Sequence, residues 1–180
     1  LYPMLFVGSV RGFYETAYEL GDGEVLHFME DLASRNLYNV CFCGGETLLR
    51  KELMCECIKI LKPSGSHCTA VTNGLLANPA TIQQLASAGL DGMQFSLDGL
   101  RDSHERLRNK VGIFPKVIDA MKYVLNETEL RVSIAFTPTS FNVKDFLGVY
   151  DLLVDLYKKS NRTTGSDYID FRLQPLMLLG

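Results

Sequence analysis

The residues with the clearest chemical potential are Cys43-Gly44-Gly45-Glu46-Thr47, which follow a short apolar run and precede a helical pattern. Two adjacent glycines let the backbone turn sharply and leave room for a ligand to approach it. The Glu46 carboxylate stands at the mouth of this turn, where it can hold an ammonium group. Gly-Gly between a strand and a helix is also ordinary turn chemistry, and a carboxylate near a helix start also suits the helix dipole. These five residues alone leave both interpretations open.

Further polar residues end other apolar runs in the same way. Thr72-Asn73-Gly74 and Ser96-Leu97-Asp98-Gly99 each close a run, and Thr137 closes a later one. Asp98-Gly99 is typical of turns as well. His104 and Arg108 are four residues apart, so they share one face of a predicted helix. We expect Arg108 to contact a ligand and His104 to make a structural hydrogen bond.

Apolar residues spaced at three and four predict helices, and short apolar runs predict strands. The predicted strands are 3–7, 38–43, 68–72, 92–97, 130–136 and 168–173, and the predicted helices are 24–35, 49–61, 79–88, 114–125 and 142–157. Strands separated by helices need crossover connections, which predict a parallel sheet. No G-x-G-x-x-G follows the first strand, which argues against a dinucleotide fold. The polar residues at successive strand ends converge in a barrel, so we predict an α/β fold, a six-stranded partial (β/α) TIM-like barrel.

Composition narrows the class of protein. The 180 residues predict one domain, 1–180, and 47% apolar content is typical of a globular chain. A net charge of -3 with no basic stripe argues against nucleic acid or an anionic membrane surface as a partner. No apolar run approaches the ~18 residues of a membrane span and no leader is evident, so we expect a cytoplasmic protein. Five cysteines without extracellular features argue against a disulfide framework.

Taken together and in this order, the Gly-Gly-Glu, Thr-Asn-Gly and Ser-x-Asp-Gly corners with His104 and Arg108 resemble the radical S-adenosylmethionine superfamily. The resemblance extends roughly from Val25 to the end and is strongest to the branch that contains sulfatase maturases and ribosomal-peptide maturases. It implies an oxidoreductase that uses S-adenosylmethionine and a 4Fe-4S cluster. The implied reaction forms a 5′-deoxyadenosyl radical that removes hydrogen from a peptide or protein substrate, with a reductase or other electron donor as a further partner.

The resemblance also implies which residues bind the cofactor. Glu46 matches the family residue that contacts the methionyl amino group, Thr47 stands where proline is common, and Arg108 would pair with the methionyl carboxylate. Polar residues after the third and fourth strands would lie by the methionyl group and ribose, and the sixth strand along the adenine. The expected binding residues are Gly44, Gly45, Glu46, Thr47, Thr72, Asn73, Ser96, Asp98, Arg108, Thr137, Gln174 and Leu176.

The family's C-x-x-x-C-x-x-C loop, which holds the cluster, has no counterpart in this sequence. Cys41 and Cys43 belong to a predicted strand, and Cys55 and Cys57 to a helix in which positions two apart do not share a face. We therefore expect no metal ligands in this sequence. Cys41 and Cys43 are expected to be small buried side chains, with zinc or a second cluster as the alternative. We expect a fragment of a longer protein, with the cysteine loop missing between about Ser9 and Gly12.

Two other functions are compatible with the sequence. A degenerate barrel that has lost its cluster could act as a non-catalytic module that binds a cofactor or peptide, and the missing cysteines favour it. An unrelated α/β-barrel lyase or aldolase would need a Schiff-base lysine, or a metal-binding set of carboxylates and histidines, at the strand ends. No such set is evident.

Overall fold

The computed structural model describes residues 5–7, 20–162 and 170–174, in which strands and helices alternate. The strands are β1 Leu5–Val7, β2 Asn39–Phe42, β3 His67–Thr72, β4 Gly92–Ser96, β5 Arg131–Phe136 and β6 Asp170–Leu173. The helices are α1 Asp22–Ser34, α2 Lys51–Leu61, α3 Pro79–Ala88, α4 Arg101–Leu107, α5 Ile113–Glu127 and α6 Phe146–Lys159. None of these helices is long and apolar enough to cross a membrane.

Two predicted helices start differently from the prediction. The helix predicted from residue 49 begins with a 3₁₀ turn at Thr47–Arg50, and the one predicted from residue 142 begins with a 3₁₀ turn at Val143–Asp145. A tighter first turn is common at helix starts. Residues 3, 4, 168 and 169 of the predicted strands lie outside the described residues, and so does the break expected between Ser9 and Gly12.

The six strands form one parallel sheet in the order β1-β2-β3-β4-β5-β6. Each strand therefore lies beside its predecessor in the chain, and the order never reverses. With right-handed crossovers, such an order places every connecting helix on the same face of the sheet. Consecutive helices accordingly pack on one another: α1 on α2, α2 on α3, α3 on α5 and α5 on α6. The arrangement is that of a partial (β/α) barrel and excludes a doubly wound sheet, as predicted.

Side chains along each strand alternate between two environments. One set packs against the helices in the core and includes Val40, Phe42, Cys68, Ala70, Met93, Phe95, Val132, Ile134 and Phe136. The alternate positions form the other face, which we call the inner face. Its residues are Asn39, Cys41, His67, Thr69, Val71, Gly92, Gln94, Ser96, Arg131, Ser133, Ala135, Asp170 and Arg172. The inner face is much more polar than the core face.

The segment after β3 shows how local sequence sets the entry to a helix. Asn78 caps α3 because its side-chain oxygen accepts a hydrogen bond from the Thr81 N–H at 2.9 Å, and Pro79 occupies the first helical position. Gly89 ends the helix at φ +100°. These three signals confirm the predicted bounds.

Gly74 and Gly65 allow a matched test of how the turn after β3 is packed. Both have φ +81°, but a Cβ on Gly74 would lie 2.8 Å from Cγ2 of Val117, whereas a Cβ on Gly65 would meet nothing within 4 Å. Both alanine variants bear the strain of a left-handed backbone, about 1 kcal/mol. We expect Gly74→Ala to lower the free energy of unfolding by a further 1–3 kcal/mol or so, because its methyl group overpacks α5. Urea denaturation measures both losses, and equal losses would contradict the steric explanation.

Candidate functional site

The Glu46 carboxylate fastens the end of β2 to the end of β3. Its Oε1 accepts hydrogen bonds from the Thr72 hydroxyl at 2.7 Å and from the Leu48 N–H at 3.2 Å. Its Oε2 accepts one from the Asn73 N–H at 2.8 Å. The bond from Leu48 caps the 3₁₀ turn, so the structural interpretation of Glu46 is correct in part. The bonds from β3 add a second constraint, and together the three donors orient the carboxylate.

The turn after β3 is itself held by short side chains. The Thr72 hydroxyl accepts a hydrogen bond from the Gly74 N–H at 3.0 Å, and the Asn73 side-chain oxygen accepts one from the Leu75 N–H at 2.9 Å. Thr47 donates its hydroxyl to the Val71 carbonyl at 2.6 Å. Thr47 therefore ties the two strand ends together from its position next to Glu46, a contact that proline could not make.

A second corner forms around Asp98 after β4. Asp98 is buried, with 6% of the residue exposed, and its Oδ1 accepts a hydrogen bond from the Thr137 N–H at 2.9 Å, which links the ends of β4 and β5. Oδ2 pairs with Nη2 of Arg108 at 2.5 Å. The Asp98 N–H donates to Nδ1 of His104 at 3.1 Å. His104 thus makes a structural hydrogen bond, as expected.

Asn142 completes this corner and was not singled out in the sequence. Its side chain is fully buried, and its Nδ2 donates to the carbonyl oxygens of Asp98 at 2.7 Å and of Thr137 at 2.9 Å. Its Oδ1 accepts from the Thr139 N–H at 2.6 Å. The available signal was an asparagine just before an amphipathic helix, which also indicates an ordinary cap. Nothing local in the sequence connects it to Asp98.

The predicted binding residues that the structure describes lie near the carboxyl ends of neighbouring strands, with Arg108 at the end of α4. Gly44 and Gly45 are exposed, while Ser96 and Arg108 retain partial exposure. Thr137 contributes its backbone N–H to Asp98. Gln174 is exposed and donates its backbone N–H to the Phe136 carbonyl at 2.9 Å, whereas Leu176 lies outside the described residues. The Gly-Gly-Glu and Ser-x-Asp corners therefore share one edge of the sheet.

Cys41 and Cys43 lie on the inner face, close to this edge. Cys41 is 4% exposed and Cys43 is half-buried. A hydrogen bond from the Cys43 thiol lowers the pKa of Cys41 to about 6 against the effect of burial, with help from Thr69 and the Arg172 guanidinium. The same interaction, together with burial, raises the pKa of Cys43. The expectation of small buried side chains therefore holds for Cys41 and only in part for Cys43.

Comparisons with known proteins agree with this arrangement. A family model described as the radical SAM superfamily matches residues 7–153, and the chain belongs to that superfamily. It is 30% identical over 135 residues to Fe-coproporphyrin III synthase of Methanosarcina barkeri, covering 75% of this chain and 33% of that protein. It is 25% identical over 133 residues to the sporulation killing factor maturation protein SkfB of Bacillus subtilis, covering 74% and 32%.

A solved structure shares the fold. Streptococcus suis SuiB bound to S-adenosylmethionine superposes with a TM-score of 0.68 at 16% identity, covering 98% of this chain and 39% of SuiB. Another structure of SuiB holds its precursor peptide SuiA. The chain spans about a third of the length of the curated relatives it matches.

The radical SAM family uses S-adenosylmethionine together with a 4Fe-4S cluster. The chemistry of the side chains at the carboxyl edge fits S-adenosylmethionine. Glu46 offers a carboxylate for an ammonium group, the Ser96 hydroxyl suits a polar group of the ligand, and the half-exposed Arg108 guanidinium suits a carboxylate. The exposed glycines leave the backbone open to a close approach.

The cysteines of this chain do not fit the cluster. Cys55, Cys57 and Cys68 are buried in the core that packs against the helices, away from the inner face. No three His, Cys, Asp or Glu side chains come together as metal ligands within residues 5–7, 20–162 and 170–174.

The buried His104 makes the stability of this corner depend on pH. Burial and the nearby Arg108 guanidinium lower its pKa from 6.5 to about 4, against the opposing charges of Asp98 and Glu105. The unfolded chain therefore binds a proton between pH 6.5 and 4 while the folded chain does not. The free energy of unfolding therefore keeps its full value above pH 6.5. It should fall by up to about 3 kcal/mol as the pH drops to 4.

His104→Leu tests this assignment, with exposed His27→Gln as its control. We expect His104→Leu to be less stable at neutral pH, but its free energy of unfolding should change much less between pH 6.5 and 4. His27→Gln should keep the wild-type dependence of the free energy of unfolding on pH. Urea denaturation at a series of pH values measures both. A leucine variant with the full wild-type pH dependence would show that other groups cause it.

Proposed function

We propose that residues 1–180 form the S-adenosylmethionine-binding core barrel of a radical SAM enzyme that acts on a peptide or protein side chain. The observation that carries the proposal is the pair of corners around Glu46 and Asp98 on one edge of the sheet, in a chain of this superfamily. A carboxylate, a hydroxyl and a guanidinium at that edge match the ammonium, ribose and carboxylate groups of S-adenosylmethionine.

In this proposal the protein's own groups bind and orient the cofactor. The Glu46 carboxylate, already aligned by Thr72 and Asn73, accepts hydrogen bonds from the methionyl ammonium group. Arg108 uses guanidinium N–H groups other than the one bonded to Asp98 to hold the methionyl carboxylate. Because these groups are held by hydrogen bonds before the ligand arrives, little conformational entropy is lost on binding.

S-adenosylmethionine supplies a 5′-deoxyadenosyl group as the hydrogen-abstracting species in this family. The five cysteines of this chain do not fit the cluster that the family uses, so the proposed activity requires cluster ligands other than these cysteines in the complete protein. It also requires an electron donor.

Two similarities support a peptide as the substrate. SkfB is a maturation protein for a killing factor, and SuiB has been solved with a precursor peptide. Fe-coproporphyrin III synthase acts at a different kind of molecule, so relatives of this chain are not confined to peptides. The missing cysteines favour a second candidate, a barrel that binds S-adenosylmethionine or a peptide without catalysing a reaction.

Calorimetry with S-adenosylmethionine tests the binding site. We expect Glu46→Gln and Arg108→Ala each to weaken binding about 10- to 100-fold, because each removes a charge-assisted hydrogen bond. Glu129→Gln and Arg131→Ala make the same changes at the amino end of β5 and should leave the affinity unchanged. Wild-type affinity in both Glu46→Gln and Arg108→Ala would refute the site.

Anaerobic reconstitution of the complete protein with iron and sulfide separates the enzyme from the binding module. We expect the visible absorbance of a 4Fe-4S cluster and, with a reductant and S-adenosylmethionine, the release of 5′-deoxyadenosine measured by chromatography. A protein that binds S-adenosylmethionine but yields neither the absorbance nor the product is the non-catalytic module.

A further inference from the structure

Gln94 is a buried polar residue that the cofactor site does not use. It lies in the middle of β4 with 5% of its surface exposed, and its side chain points to the inner face. The side-chain nitrogen Nε2 is buried and makes no hydrogen bond to any residue within 5–7, 20–162 and 170–174. Buried amide donors are nearly always paired, and leaving one without a partner costs stability. A glutamine retained at this cost is expected to serve a ligand.

The neighbours of Gln94 leave room on the inner face. The strand register places it between Val71 on β3 and Ser133 on β5. The adjacent inner-face positions on β4 are Gly92 and Ser96, and the side chains of all four neighbours are small. Exposure rises from Gln94 to the half-buried Ser96 toward the carboxyl edge. The edge is therefore the direction from which a ligand would reach the amide.

The position of Gln94 separates it from the groups proposed to hold S-adenosylmethionine. Gln94, Ser96 and Asp98 are alternate residues along β4 and its continuation. At a rise of about 3.3 Å per residue, Gln94 lies roughly 6–7 Å below Ser96, deeper in the barrel. A ligand group that contacts Gln94 would therefore lie deeper in the barrel than a cofactor held at the carboxyl edge.

The charges of the inner face favour a neutral hydrogen-bond acceptor as that group. Arg172 is paired with Asp170, through Nε to both carboxylate oxygens at 3.1 Å and through Nη2 at 2.8 Å. The Cys41 thiol, whose pKa is lowered by the hydrogen bond from Cys43, adds no positive charge. Arg131 also lies on the inner face, but the register pairs it with Gly92 at the amino end of β5, below Gln94. A carboxylate at the level of Gln94 or nearer the carboxyl edge would therefore meet no described inner-face cation that lacks a carboxylate partner, whereas a carbonyl oxygen needs only an N–H donor.

We propose that Gln94 is a specificity-determining residue that donates its side-chain N–H to a carbonyl oxygen of the peptide substrate. The proposal rests on the proposed function, since it assumes that a peptide is the second reactant beside S-adenosylmethionine. It assigns Gln94 to recognition of the substrate and not to binding of the cofactor.

The first test uses N-methylacetamide as a peptide-carbonyl probe and acetate as a carboxylate probe. In the ¹⁵N-labelled 180-residue chain with S-adenosylmethionine present, the Gln94 side-chain amide signals are identified by their absence from the Gln94→Met variant. We expect these signals to shift with N-methylacetamide and to shift less with acetate. Unchanged signals, or a larger shift with acetate, would overturn the proposal.

The second test measures the melting temperature of Gln94→Met against Gln84→Met, which makes the same change on the exposed face of α3. Removing a buried donor without a partner should raise the melting temperature by about 2–4 °C, whereas Gln84→Met should change it little. A fall for Gln94→Met would assign the amide a structural hydrogen bond and overturn the proposal.

Calorimetry keeps this inference distinct from the proposed function. We expect Gln94→Met to bind S-adenosylmethionine with wild-type affinity. A tenfold loss would place Gln94 in the cofactor site and overturn the substrate role. If the wild-type chain does not bind S-adenosylmethionine, the proposed function fails. If it binds and the Gln94 signals do not respond to N-methylacetamide, only the present inference fails.

Discussion

The hydrogen bonds of the Glu46 carboxylate are the constraint on which the carboxyl edge of the sheet depends. Parallel strands end without a hairpin to join them, so the loops that follow each strand must be fixed by other contacts. Glu46 supplies such contacts by accepting hydrogen bonds from the hydroxyl of Thr72 and the backbone of Asn73 on the neighbouring strand. The Asp98 carboxylate has the same role between β4 and β5, where it accepts a hydrogen bond from Thr137. A ligand bound by these residues is therefore fixed in position relative to the strands of the sheet.

Much of the fold was predictable because its signals are local. The apolar spacing, the Asn78 cap and Gly89 fix the positions of elements, and the βα alternation allows few topologies. The order of polar residues at successive strand ends predicted that the Gly-Gly-Glu and Ser-x-Asp corners would share an edge. The 3₁₀ turns before α2 and α6 were missed because a tight first turn and an α-helical one have the same sequence signals.

The features of the site that could not be predicted depend on contacts between distant residues. Asn142 joins the backbone of Asp98 from 44 positions away, and the pairing of β4 with β5 brings the segments that follow these strands together. The pairing of Arg108 with Asp98 was likewise not predicted, because the resemblance assigned that guanidinium to the cofactor alone. The sequence around Gln94 is that of an ordinary strand, and neither its burial nor the lack of a hydrogen-bond partner for Nε2 among the described residues has a sequence signal. Such features arise from tertiary structure and have no short-range pattern.

The strand order has a consequence for how large molecules reach the inner face. Among the described strands, β1 pairs only with β2 and β6 pairs only with β5, so the six strands form an arc and not a ring. Within the part of the chain that the structure describes, the arc leaves an opening between β1 and β6, so that a large molecule can approach the inner face from the side as well as from the carboxyl edge.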